Sequence, residues 1–124
     1  MIGRLGSIEI FAYCKPVDMR KGFEGLAGVV RNEMKQNPLS GALFLFTNRR
    51  RTRAKALLFD GSGMCIYAKR LERGRFAKLW RWSAHEQLVL KPSELQLFLE
   101  GSDLVGRFRV SPDALTQKDL AAGS

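Results

Sequence analysis

The side chains with most chemistry to offer are cationic. Arg49, Arg50, Arg51, Arg53 and Lys55 fall within seven residues, and Lys69, Arg70, Arg73, Arg75, Lys78 and Arg81 form a second bank. Only Asp60 and Glu72 oppose these eleven cations across residues 49–81, so this window carries the whole formal net charge of +9. The rest of the chain is balanced, with ten basic and ten acidic residues. A guanidinium is a planar fork of donors that meets two phosphate oxygens at once, and a localised positive field draws polyanions. The chemistry this pattern serves is therefore a grip on a nucleic-acid backbone or groove. Phe76, Trp80 and Trp82 lie among the second bank. Such rings either stack on unpaired bases or fill the core, and burial is the commoner fate of tryptophan.

A catalytic constellation is harder to assemble. Asp18 stands where a helix N-cap belongs, Asp60 sits in a turn, and Glu72 lies among arginines that it can organise through ion pairs. Residues 61–63 are Gly-Ser-Gly but lack the lysine and helix start of a phosphate loop. The only histidine is His85, and Cys14 and Cys65 have no metal-ligand spacing. Both cysteines sit in apolar runs and read as reduced core thiols. No enzyme, metal or cofactor is expected. The catalytic alternative is a magnesium-dependent nuclease built on Asp18, Asp60 or Glu72.

The elements that position the cations follow from periodicity. Residues 8–14 form a strand that Pro16 ends. Met19, Phe23, Leu26, Val30 and Met34 then recur at helical spacing, predicting an amphipathic helix over 19–36 with Asp18 as its cap. Gly22, Gly25 and Gly28 repeat every third residue. They mark either close packing of the helix on a sheet or a flat surface for another backbone. Residues 42–46 are a continuous apolar run suited to a central strand covered on both faces. Residues 54–59 and 64–69 are strand-like and flank the turn at 60–63, giving a three-stranded antiparallel meander with the arginines at the tip of its first hairpin. Residues 87–90 are a candidate fourth strand, and Pro92 opens a short C-terminal helix capped by Gly101. The fold expected is α+β, an antiparallel sheet of that meander plus one or two further strands, covered by one main helix. One domain over 1–102 is expected, after a loose start at 1–7. A C-terminal extension follows over 103–124, with a possible edge strand at 104–110 and a frayed tail from 114.

The bulk properties agree with a soluble protein: 124 residues, 45% apolar and 27% charged. The start carries no signal-peptide pattern, and no apolar run approaches the ~18 residues of a membrane span. A cytoplasmic protein is expected.

Three motifs carry a resemblance: VDMRKGFEGL at 17–26, NPLSG at 37–41 and KRLERGRF at 69–76. Together they resemble the small TnpB accessory proteins, encoded by the second reading frame of bacterial insertion sequences of the sixty-six type. The likeness spans roughly residues 7–101, and beyond Phe76 the chain departs from the family pattern. It implies a protein made beside a separate transposase and needed for efficient transposition, the transposase carrying the acidic catalytic residues. The expectation is a non-catalytic accessory protein that binds DNA, including the element's ends, through the eleven cations named above. An adaptor to the transposase with non-specific nucleic-acid affinity is the alternative. Homo-oligomerisation is left open.

Overall fold

Apolar side chains stand on both faces of the central strands, and the fold answers the need to cover both. The computed structural model describes residues 8–81 and 86–102, the side chain of Arg81 excepted. Five strands, β1 (Ile10–Tyr13), β2 (Leu43–Thr47), β3 (Arg53–Phe59), β4 (Met64–Arg70) and β5 (Gln87–Leu90), make one sheet ordered β4-β3-β2-β1-β5. Two helices, α1 (Phe23–Asn32) and α2 (Pro92–Leu99), complete the α+β arrangement. The meander expected is present: β2, β3 and β4 pair antiparallel in succession. β5 adds antiparallel to the other side of β1. The β1–β2 pair, however, is parallel, with Ile10 opposite Leu43, so the sheet is mixed rather than wholly antiparallel. The cause is the connection: a chain that leaves β1 and returns through a helix comes back in the same direction.

Period-two alternation then sorts the core into two layers. Phe44, Phe46 and Leu57 face α1 and pack with Leu26, Val30 and Met34. Leu43, Leu45, Ala54, Ala56 and Leu58 face the other way, toward Phe76, Leu79, Leu95 and Phe98. Every residue of β2 is buried, as a strand at the middle of a doubly covered sheet must be. On the α2 side the Phe76 and Phe98 rings stack with centroids 4.9 Å apart. Trp80 lies half-buried against the same layer, a core position, while Trp82 and His85 lie outside the described residues. So do residues 1–7, the possible strand at 104–110 and the extension at 103–124.

Three expectations need correction. The first helix is shorter than 19–36, because Asp18 does not cap it. Its carboxylate accepts from the Arg20 backbone N–H (2.8 Å) and from the Arg20 guanidinium, closing a turn at 18–21 before Gly22 turns the chain into the helix. At the other end Lys35 takes φ +58, a left-handed conformation that stops helical propagation after Asn32 while still leaving Met34 buried. The glycines do not pack on the sheet. A Cβ at Gly22 would meet nothing within 4 Å, one at Gly25 only the Lys21 side chain, and one at Gly28 only the Asn32 amide. Leu26, Ala27 and Val30 supply the buried face instead. Finally, Cys65 is exposed, since β4 is an edge strand whose outer residues α2 does not reach; Cys14 alone is a core thiol, and neither forms a disulfide. Among the described residues no helix is long and apolar enough to cross a membrane.

Candidate nucleic-acid interface

The hairpin tip is a built structure, and Asn48 builds it. The Asn48 amide oxygen accepts from the backbone N–H groups of Thr52 (2.9 Å) and Arg53 (3.1 Å), and its amide nitrogen donates to the Thr52 hydroxyl (3.2 Å). The Arg51 N–H returns to the Asn48 carbonyl at 3.0 Å. An asparagine bonding its own downstream backbone is the usual way to lock a tight turn. Arg49 and Arg50 project from this locked turn, both exposed.

Arg51 does something different. It adopts φ +62, its carbonyl accepts from the Phe76 N–H at 2.7 Å, and its guanidinium donates to the Phe76 carbonyl at 3.3 Å. One residue further on, the Leu71 N–H donates to the Thr52 carbonyl at 2.9 Å. The tip is thus stapled to residues 71–76, and the two banks of cations, twenty residues apart in sequence, become one body. Gly74, at φ +74, lets the segment between those staples turn back. Phe76 is then buried on the α2 side, leaving Arg73, Arg75 and Lys78 exposed around it.

Strand register distributes the remaining cations. Arg53 and Lys55 alternate with the buried Ala54 and Ala56, so they leave β3 on the α1 face. Arg70 is the register partner of Arg53 and shares that face. Lys69 points to the opposite face, where its ammonium donates to the Leu99 carbonyl at 2.6 Å, at the C-terminal end of α2. Cations at that end of a helix are favoured by its dipole. Two hollows open along the α1 face and share Met19 and Arg53 in their walls. One continues to Lys55, Ala68 and Arg70, the other to Arg20, Asn48, Arg49 and Arg50. Arg49, Arg50, Arg53, Lys55 and Arg70 therefore line one trough beside the 17–20 turn. Arg81 falls in a 3₁₀ turn (Leu79–Arg81) beyond the segment. Sequence reasoning did not reach Met19, Arg20 and Asn48 as parts of this trough. The Asn48 role had a signal, since asparagine before an arginine run is a turn former; Met19 and Arg20 had none, because only the fold brings them there.

The acidic residues near the trough are engaged. Hydrogen bonds from Arg20 hold the Asp18 carboxyl down to about 2. Asp60 sits at the far hairpin, where the Ser62 and Gly63 N–H groups and the Ser62 hydroxyl all donate to one carboxylate oxygen and hold it at about 2. Asp60 is thus a turn residue, as its sequence context indicates. Glu72 pairs with Arg70 at 3.5 Å, both mostly exposed, and no other ion pair to these cations is present among the described residues. Nor, among them, does any group of three or more His, Cys, Asp or Glu converge as metal ligands do.

Fold and trough together define a small basic α+β module with five of its cations lining one trough. The family model described as IS66 Orf2 like protein matches residues 8–107, and the chain belongs to that family, the transposition-associated accessory proteins of an insertion sequence. It is similar to two proteins of Sinorhizobium fredii (strain NBRC 101917 / NGR234). "Uncharacterized protein y4hO" is 41% identical over 97 residues, covering 78% of this chain and 83% of that protein. "Uncharacterized protein y4jC" is 33% identical over 103 residues, covering 83% and 86%. No solved structure matches the chain at a significant level.

Proposed function

We propose that the protein is a non-catalytic, DNA-binding accessory factor that assists transposition of its element. The observation that carries this reading is the trough on the α1 face, where strand register brings Arg53 and Lys55 together with Arg70 and the locked tip adds Arg49 and Arg50. Fixed guanidinium groups neutralise backbone phosphates and release condensed counterions, the main source of affinity in such interfaces. Arg49, Arg50, Arg53, Lys55 and Arg70 make the trough contacts, and the exposed Arg73, Arg75 and Lys78 add to the field that attracts the duplex. The test is a gel shift at physiological salt, comparing duplexes from the element's ends with random duplexes. Retardation supports the reading, and preference for the ends adds sequence specificity. Failure to retard either duplex rules it out.

A second reading, an adaptor to the element's transposase, is favoured by Phe23. This ring is 49% exposed at the start of α1, beside Gly22, where an added Cβ would meet nothing within 4 Å. Capture of the transposase in high salt with nuclease present supports this reading. Loss of the complex under those conditions removes it.

A further inference from the structure

Arg53 and Arg70 are direct partners in the β3–β4 ladder. Because the Leu71 N–H bonds the Thr52 carbonyl, the 52/71 pair is the hydrogen-bonded one and the 53/70 pair is the narrow, non-bonded one. In such a pair the Cα atoms lie about 4.5 Å apart and the side chains leave together from one face. Like charges set directly opposite destabilise a ladder, and sheets ordinarily place opposite charges or apolar pairs there. Here a third cation joins them. Lys55 lies two residues along β3 on the same face, and its ammonium is tethered to the Lys21 carbonyl at 2.8 Å instead of swinging away. Its own ladder partner is Ala68, too small to fill the space between. Arg53 is in no ion pair among the described residues, and Arg70 has only the exposed Glu72.

We propose that this concavity, walled by Met19, Arg53, Lys55, Ala68 and Arg70, is a seat for one phosphate group. Two guanidinium forks side by side present parallel donors to the oxygens of a single tetrahedral anion, and the bound anion turns their mutual repulsion into attraction. The seat deepens the DNA-binding reading and rests on it for the bearer of the phosphate, which is a nucleic-acid backbone; a free phosphorylated compound offers the same chemistry. Arg49 and Arg50, on the tip beyond, contact neighbouring phosphates and are no part of the seat.

Thermal unfolding of the full chain tests this, with sodium pyrophosphate compared against sodium chloride at equal ionic strength. The wild type should gain about 5 °C at pyrophosphate concentrations well above saturation. Arg53→Gln and Arg70→Gln should each lose most of that gain, while the double variant Arg49→Gln/Arg50→Gln keeps it. A second readout separates a seat from mere structure. Without ligand and at low salt, Arg53→Gln should unfold at the wild-type temperature or above, since it removes a repulsion. Equal pyrophosphate shifts in all variants, or a lower midpoint for ligand-free Arg53→Gln, overturns the seat. A labelled short duplex in competition with pyrophosphate identifies the bearer. Displacement supports the seat and assigns it to backbone phosphate. A variant-sensitive pyrophosphate shift with no duplex binding supports the seat for free phosphates and removes the DNA-binding reading. Duplex binding with variant-insensitive shifts overturns the seat and leaves the DNA-binding reading standing.

Discussion

Arg51 is the residue at which a sequence reading and a structural reading part most sharply, and its substitution separates them. As one arginine in a run of three it is a phosphate contact. In the structure it is a staple: left-handed at φ +62, half-buried, with its guanidinium on the Phe76 carbonyl at 3.3 Å. Arg51→Ala removes that bond and keeps a side chain in a left-handed backbone. A bond of this length to an uncharged carbonyl contributes about 1 kcal/mol. Arg51→Gly loses the same bond but relieves the left-handed strain, about 1–2 kcal/mol, offset by the about 0.5–1 kcal/mol that glycine loses in ordering its backbone. The glycine variant should therefore be more stable than the alanine variant by roughly 0.5–1 kcal/mol, a difference of about 2–8 °C in midpoint. Urea unfolding followed by tryptophan fluorescence measures this directly. The same proteins are then titrated with duplex DNA across a salt series. A lost phosphate contact lowers the log–log salt slope by about 0.9. Neither Arg51 variant should change the slope, whereas Arg50→Ala should lower it without altering stability. A fully stable Arg51→Ala protein whose slope falls by about one unit refutes the staple.

Three further outcomes follow from the same geometry. Phe98→Ala should destabilise by about 3–5 kcal/mol, since it empties a fully buried site and deprives Phe76 of its stacking partner; chemical unfolding reads the loss. Asp60 has its folded-state carboxyl held at about 2, below the value of 3.8 for the free side chain, so its contribution is present above the latter and lost as pH falls through the former. The stability gap between wild type and Asp60→Asn should accordingly shrink between about pH 5 and pH 2, and a gap independent of pH contradicts the turn geometry. Burial and the neighbouring Asp60 carboxylate raise the Cys65 thiol, yet its side chain is exposed while Cys14 is buried. A thiol reagent should modify one cysteine per native chain, faster as pH rises, and the second only on unfolding.

Much of this fold is legible in the sequence, and what is not legible has physical causes. The all-apolar run that became β2 announced a strand covered on both faces, because such a placement hides four successive large side chains, Leu43 to Phe46. The turn at 60–63 and the hairpin it closes were equally plain, glycine and aspartate being the residues such turns require. The parallel β1–β2 pair was hidden, since strand direction depends on how α1 crosses the sheet and leaves no mark on β1 itself. Asp18 looks like a cap because it precedes an apolar stripe, but the Arg20 guanidinium takes both carboxylate oxygens, Nε donating to Oδ1 and Nη2 to Oδ2. For the candidate site, charge asymmetry pointed to the stretch from which the fold builds the trough. It could not separate Arg51, Lys55 and Lys69, whose cations donate to the carbonyls of Phe76, Lys21 and Leu99, from Arg49, Arg50 and Arg53, whose cations do not. That distinction lies in strand register and backbone conformation, and neither is written in the count of arginines.

The dependence of duplex affinity on salt tests the central claim most directly. With Arg49 and Arg50 each neutralising one phosphate and the seat of Arg53, Lys55 and Arg70 holding a third, log K against log salt should fall with a slope of about −3. Replacing Arg49, Arg50 and Arg53 together by alanine should bring it to about −1, with a loss of roughly a hundredfold in affinity near physiological salt. A wild-type slope near zero, or a triple variant indistinguishable from the parent, contradicts the account.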